Sequence, residues 1–123
     1  MKVAIVHNYY GRENPSGENV MVDCSISLLQ RENLQVVAFT VESSTLRKFG
    51  VIGEIFASLF LVFNPFIYVR FKRFLRQTRP DIIHIHNTFP ILSLGILYAN
   101  KGKVPVVMTL HNYRMFCAQG NLL

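Results

Sequence analysis

The sequence predicts an α/β fold, a parallel sheet with helices on both faces. Four short apolar runs, Val3–Val6, Leu34–Val41, Ile82–Ile85 and Pro105–Leu110, are rich in β-branched residues and bounded by turn formers, as strands are. Stretches with helical periodicity separate them, giving the order β, α, β, α, α, β, α, β. The first run, Val-Ala-Ile-Val, is apolar at every position, as a central parallel strand buried on both faces must be.

Each element has its own warrant. After the first strand, residues 12–17 form a loop of turn formers. Ser16 is the expected N-cap of the first helix, with Glu18 in its first turn, where an acid suits the helix dipole. Val20, Cys24 and Leu28 repeat at i, i+4, with Met21 and Leu29 beside them. They are expected to form the buried face, with Cys24 as a buried thiol. Asn33 is a good left-handed stop after Arg31 or Glu32. Strand, helix and strand then make one βαβ unit.

Val51–Phe63 is strongly apolar, interrupted only by Gly53, Glu54 and Ser58, and Ile55, Leu59 and Val62 are expected to face other apolar groups. The run is short of the ~20 residues a membrane span needs. Asn64-Pro65 opens a new helix, with Asn64 as cap and Pro65 at its first position. Ile67, Phe71, Phe74 and Leu75 lie on one side of it, and it ends before Pro80. Thr88-Phe89-Pro90 is expected to open a third helix through Ile91, Leu92, Leu94, Ile96, Leu97 and Tyr98, closed by Gly102.

The 123 residues form one domain and are half apolar, which excludes a disordered chain. The net charge is +6, and most of it comes from one helix. Arg70, Lys72, Arg73, Arg76 and Arg79 lie together without an acid; elsewhere basic and acidic residues nearly balance. This is read as a solvated helix face, with an anionic membrane surface as the alternative partner. No nucleic-acid motif or aromatic platform accompanies it, so nucleic acid is not expected. The two cysteines, Cys24 and Cys117, form no disulfide framework, and Met1–Val6 is too short for a signal peptide. The expected location is cytoplasmic, with peripheral attachment at the inner face of a membrane as a variant.

The chemistry gathers at strand ends. Three of the four histidines, His7, His86 and His111, end predicted strands. In a parallel sheet those ends share one edge, where ligands bind. His7 and His111 are each followed by Asn-Tyr, and His86 by Asn87. His84 shares a face with His86 and is read as a packed core residue. Asp, Glu or Cys at ligand spacing do not join them, so no metal is expected. Gly17, at the start of a helix, would let an anion approach free N–H groups. Gly-x-Gly-x-x-Gly and the P-loop Lys are both missing, which leaves dehydrogenase and P-loop readings without support.

Asp81–Pro90 (Asp-Ile-Ile-His-Ile-His-Asn-Thr-Phe-Pro), Thr109–Arg114 (Thr-Leu-His-Asn-Tyr-Arg), His7-Asn8-Tyr9-Tyr10, Ser16-Gly17-Glu18-Asn19-Val20 and the Asn64-Pro65 helix together resemble the amino-terminal domain of a family 4 glycosyltransferase of the GT-B fold. The resemblance implies a Rossmann-like domain, half of a two-domain retaining enzyme. Such an enzyme takes a nucleotide-sugar donor and needs neither cofactor nor metal. It implies that Gly17 and Glu18 belong to a loop near the donor diphosphate and acceptor. His111, with Asn112 beside it, matches the position facing the reacting sugars and is the expected catalytic residue. His86, Asn87 and His7 would line the substrate-binding acceptor side. Ser16 departs from the family's Gly-Gly-Glu loop. The family's Glu-x7-Glu donor motif does not occur in these residues. The expectation is therefore an incomplete domain over residues 1–123, the acceptor half of a hexosyltransferase acting on a glycan or lipid-linked acceptor, and inactive alone. The alternative is a non-enzymatic membrane-surface module built on residues 51–79.

Overall fold

The computed structural model describes residues 1–11, 16–44, 50, 60 and 62–112. Among them are β1 (Lys2–Tyr9), α1 (Gly17–Arg31), β2 (Gln35–Glu42), α2 (Pro65–Thr78), β3 (Ile82–Ile85), α3 (Gly95–Asn100) and β4 (Val106–Met108). The strands form one parallel sheet in the order β2-β1-β3-β4. The α/β expectation holds. β1 is central, and its Ala4, Ile5 and Val6 are fully buried.

The strand period of two sorts β1 between two cores. Ala4 and Val6 face Ile67, Phe71 and Ile96 of α2 and α3, together with Phe39, Ile83 and Ile85. Val3 and Ile5 face Val22, Ile26 and Leu29 of α1. Burial on both faces is why the strand reads as an unbroken apolar run.

The caps follow the sequence. Ser16 Oγ accepts from Asn19 N, and Asn33 takes φ 59° after α1. Asn64 Oδ1 accepts from both Phe66 N and Ile67 N at the head of α2, and Arg79 ends it in the left-handed region. At the head of α3, a Cβ on Gly95 would come within 3.2 Å of both the Phe63 ring and Ser93 Oγ, so only glycine fits there without a shift.

Four expectations are corrected. The buried face of α1 is Asn19, Val22, Ile26 and Leu29; Cys24 is exposed, as are Val20, Met21 and Leu28. Two apolar stripes compete on this helix, and the hydrogen bond that Asn19 Oδ1 accepts from His7 of the sheet favours the one that turns inward. The third helix starts at Gly95, not near Pro90. Asn87 Oδ1 takes the N–H of Phe89, Asn8 Oδ1 that of Ile91, and Ser93 sits at φ 56°. Side chains thus capture N–H groups that a helix would use, and hold residues 88–94 in turns. His7 does not end its strand, because the β1–β2 ladder continues to Tyr9↔Glu42. Val62 is 70% exposed rather than packed. Ile55, Leu59, Cys117 and most of the apolar run lie outside the described residues.

Candidate functional site

The sheet order places the site. From β1 the chain goes first outward to β2, then crosses back to β3 and β4 on the other side. That reversal makes the carboxyl ends of β1 and β3 a topological switch point, where neighbouring connections diverge and leave a crevice. His7 stands on β1 and His86 directly follows β3, one on each side of the switch. The backbone zips past them: His86 N donates to Val6 O, and Asn8 N to Asn87 O.

Parity does the rest. His7, His84 and His86 share the sheet face that carries α1. The rings form a row. His7 and His86 have centroids 6.3 Å apart, edge to face; His84 and His86 are 4.1 Å apart; His86 and His111 stack at 5.3 Å. His86 Nδ1 and His111 Nε2 share a hydrogen bond of 3.0 Å, and His84 Nε2 and Thr109 Oγ1 one of 2.8 Å. His7 Nε2 meets Asn19 Oδ1 at 3.1 Å. His84 is therefore half-buried within the histidine row, not the packed core residue expected.

Burial grades along the row. His7 is fully buried, His86 is 4% exposed, and His111 is half-buried at the open end. Desolvation disfavours imidazolium, so burial lowers the pKa of His7, His84 and His111. The Asn19 bond partly offsets this at His7. His86 is pushed down to about 4 by burial first, then by the charges its neighbours would carry. At neutral pH the row is uncharged and offers hydrogen bonds, not positive charge.

The other expected residues fall around this row. Asn87 and Asn112 join His86 and His111 in lining a cavity of ≈ 40 Å³. Each water needs on the order of 10–15 Å³, so the cavity holds a few waters and anything larger would lie across its mouth. Gly17 and Glu18 open α1, two residues and one residue before Asn19, so the helix start adjoins His7. A Cβ on Gly17 would meet nothing within 4 Å, which leaves room for a ligand against the backbone. The four basic residues of α2 and Arg79, which caps it, are exposed, on the opposite side of the sheet. Larger hollows lie elsewhere: ≈ 650 Å³ between α2 and α3, and ≈ 570 Å³ between α1 and β2. Neither contains a histidine.

Sequence reasoning named Asn87 as a site residue and Asn64 as a cap, but missed Asn8 and the bonds that the amide groups of all three donate. Asn8 Nδ2 donates to Ser43 Oγ, Asn87 Nδ2 to Tyr10 Oη, and Asn64 Nδ2 to Ile91 O. They are buried struts that hold the loops around the histidines. For Asn8 and Asn87 the signal was their position directly after His7 and His86, at the ends of apolar runs.

The model of Glycosyltransferase Family 4 matches residues 17–118. The chain belongs to Glycosyltransferase Family 4. That match takes in α1, the Asn64-capped helix and the β3 and β4 ends, and so includes three of the four histidines. Among curated relatives, an alpha-monoglucosyldiacylglycerol synthase from Acholeplasma laidlawii is 40% identical over 42 residues, which is 34% of this chain and 11% of that protein. No solved structure matches. Among the described residues, no helix is long and apolar enough to cross a membrane.

Proposed function

We propose that this chain supplies the acceptor side of a retaining glycosyl-transfer site, in which a sugar passes from a nucleotide-sugar donor to a glycan or lipid-linked acceptor. The observation that carries the reading is the row His7–His86–His111 at the switch point, buried within and half-open at His111. His111 and Asn112, at the mouth of the cavity, hydrogen-bond the sugar hydroxyls. His7, His86 and Asn87 form the floor behind them. Gly17 and Glu18 stand at the helix start, whose positive dipole end favours the donor diphosphate. In the reaction the bond from the anomeric carbon to a phosphate oxygen breaks, a bond to the acceptor oxygen forms, and the acceptor's hydroxyl proton passes to the departing phosphate. Neutral side chains suit that step, because they orient hydroxyls without adding charge that must be desolvated. No metal or cofactor is assigned to the site.

A lipid-linked acceptor has support from two directions. The Acholeplasma relative is named for a glucosyldiacylglycerol. Val62, Phe66, Val69 and Tyr98, all more than half exposed, lie alongside or near the basic residues of α2. Apolar and basic groups together suit the surface of an anionic membrane.

The deciding experiment is His111→Ala in the complete enzyme. The transfer rate per folded molecule should fall roughly 10²-fold or more. Water from the cleft can replace the ring as partner for His86, so stability should fall by only about 1 kcal/mol. A preserved rate with a large loss of melting temperature would make His111 scaffold and remove this reading.

A further inference from the structure

We infer that His86 is a positioning residue that holds His111 as the Nδ1–H tautomer, so that His111 meets its ligand as a hydrogen-bond donor and not as a base. The inference rests on the site reading above only for what His111 touches; the tautomer itself is a property of the histidine row.

The contact between His86 Nδ1 and His111 Nε2 is 3.0 Å, a hydrogen bond that can hold one proton. Both rings are neutral near pH 7, so one ring donates and the other accepts. Which one donates is decided at the far side of His86. Its Nε2 is buried and has no hydrogen-bond partner among the described residues. A buried N–H without an acceptor is among the rarest arrangements in proteins, and a bare acceptor nitrogen is better tolerated. The proton of His86 therefore sits on Nδ1, inside the contact. His111 must then accept at Nε2 and carry its own proton on Nδ1.

His7 repeats the pattern. Its Nε2 faces the Asn19 carbonyl oxygen, which only accepts, so the proton is on Nε2. Its Nδ1 is left bare, buried and without a partner among the described residues. Each buried histidine thus places its proton where an acceptor waits and leaves a bare nitrogen inside. The consequence appears at the open end. His111 Nδ1–H offers a donor to an oxygen: a sugar hydroxyl, or a phosphate oxygen gaining charge as the glycosidic bond breaks. A free neutral imidazole in water favours the proton on Nε2, so the row holds His111 against its ordinary preference.

The test reads the tautomer directly. Label the protein with 15N-histidine and record long-range 1H–15N spectra at pH 7.5, assigning His111 from the His111→Gln variant. His111 should show a pyrrole-type Nδ1 and a pyridine-type Nε2. The His86→Phe variant fills the space without a donor and should return His111 to Nε2–H. The His86→Asn variant, whose amide N–H stands where Nδ1 stood, should restore Nδ1–H. The transfer rate should follow the same order, falling roughly tenfold or more in His86→Phe and recovering in His86→Asn. An Nε2–H signature for His111 in the unsubstituted protein overturns the proposal, and that spectrum needs no variant to fold. So does a His86→Phe variant that keeps Nδ1–H. If the tautomers change as stated while the rate does not, the positioning stands and the catalytic reading of His111 falls.

Discussion

At the scale of the residue, His86 carries the largest electrostatic consequence. Its pKa is pushed from the ordinary 6.5 to about 4, by burial and by His84, His111 and His7 around it. The unfolded chain therefore binds a proton between these values that the folded chain refuses, and folding is linked to pH. The sign follows: stability is complete above pH ~6.5 and is lost as pH falls toward ~4. The full loss from this one group is on the order of 3 kcal/mol, with His7, His84 and His111 adding in the same direction. Urea midpoints measured from pH 8 to pH 4 should drop across that window, and more shallowly in His86→Phe. A flat profile would mean that the row is wet rather than buried. Burial separates the row: His7 and His86 are closed off from solvent, whereas His111 is half-open, as the proposed contact with a ligand requires.

At the scale of the element, α2 shows how one side chain ties a helix to the loop that frames the site. Asn64 caps two N–H groups of α2 and also donates to Ile91 O, while its backbone N–H goes to Ser93 Oγ. Asn64→Ala removes the cap and leaves the half-buried Ile91 carbonyl without that donor. The expected cost is about 2–3 kcal/mol, read from denaturant midpoints. Asn64→Asp keeps both cap bonds but cannot donate to Ile91, so it should recover part of the loss. Equal stability of the two variants would show that the loop contact, and not the cap, carries the energy. On α1 the comparable device is Asn19. It joins the helix start to His7, and it rolls Val22, Ile26 and Leu29 onto the sheet in place of Val20, Cys24 and Leu28.

At the scale of the whole molecule, the two faces of the sheet do different things. The α1 face holds the histidines; the α2 side presents Arg70, Lys72, Arg73, Arg76 and Arg79 to solvent beside exposed Phe66 and Val69. Arg70 and Lys72 also lie over the rings of Phe39 and Tyr68, which holds their stems against the protein. If this side meets anionic lipid, each basic residue is worth about 1 kcal/mol near the surface. Binding to anionic vesicles should then weaken steeply from 0.1 M to 1 M salt, as screening shortens from ~10 Å to ~3 Å. Equal binding to neutral and anionic vesicles would remove the electrostatic attachment. The 123 residues taken by themselves hold no Glu-x7-Glu pair. Expressed alone, they should transfer no sugar from a panel of nucleotide-sugars; transfer above a heat-treated control would show a complete site within them.

The sequence by itself determined what depends on local chemistry. Strand period, caps and stops were legible because each rests on a few neighbouring residues: Val3–Val6 for β1, Ser16 and Asn64 for the helix starts, Asn33 for the end of α1. The edge on which His7, His86 and His111 meet was legible too, since parallel strands that carry a histidine near each carboxyl end must bring them to one side. Tertiary structure decided what depends on distant partners. Val20-Cys24-Leu28 and Val22-Ile26-Leu29 are equally good stripes for a helix, and only the bond from Asn19 to His7, across a strand, chooses between them. The helix expected from Pro90 yields to turns because Asn8, more than eighty residues earlier, takes a loop N–H. His84 looked like core, but with α1 lying over Val3 and Ile5 it remains half-buried and joins the row. The contact between His86 and His111 belongs to the same class: two residues 25 apart become a 3.0 Å pair only when β3 and β4 align.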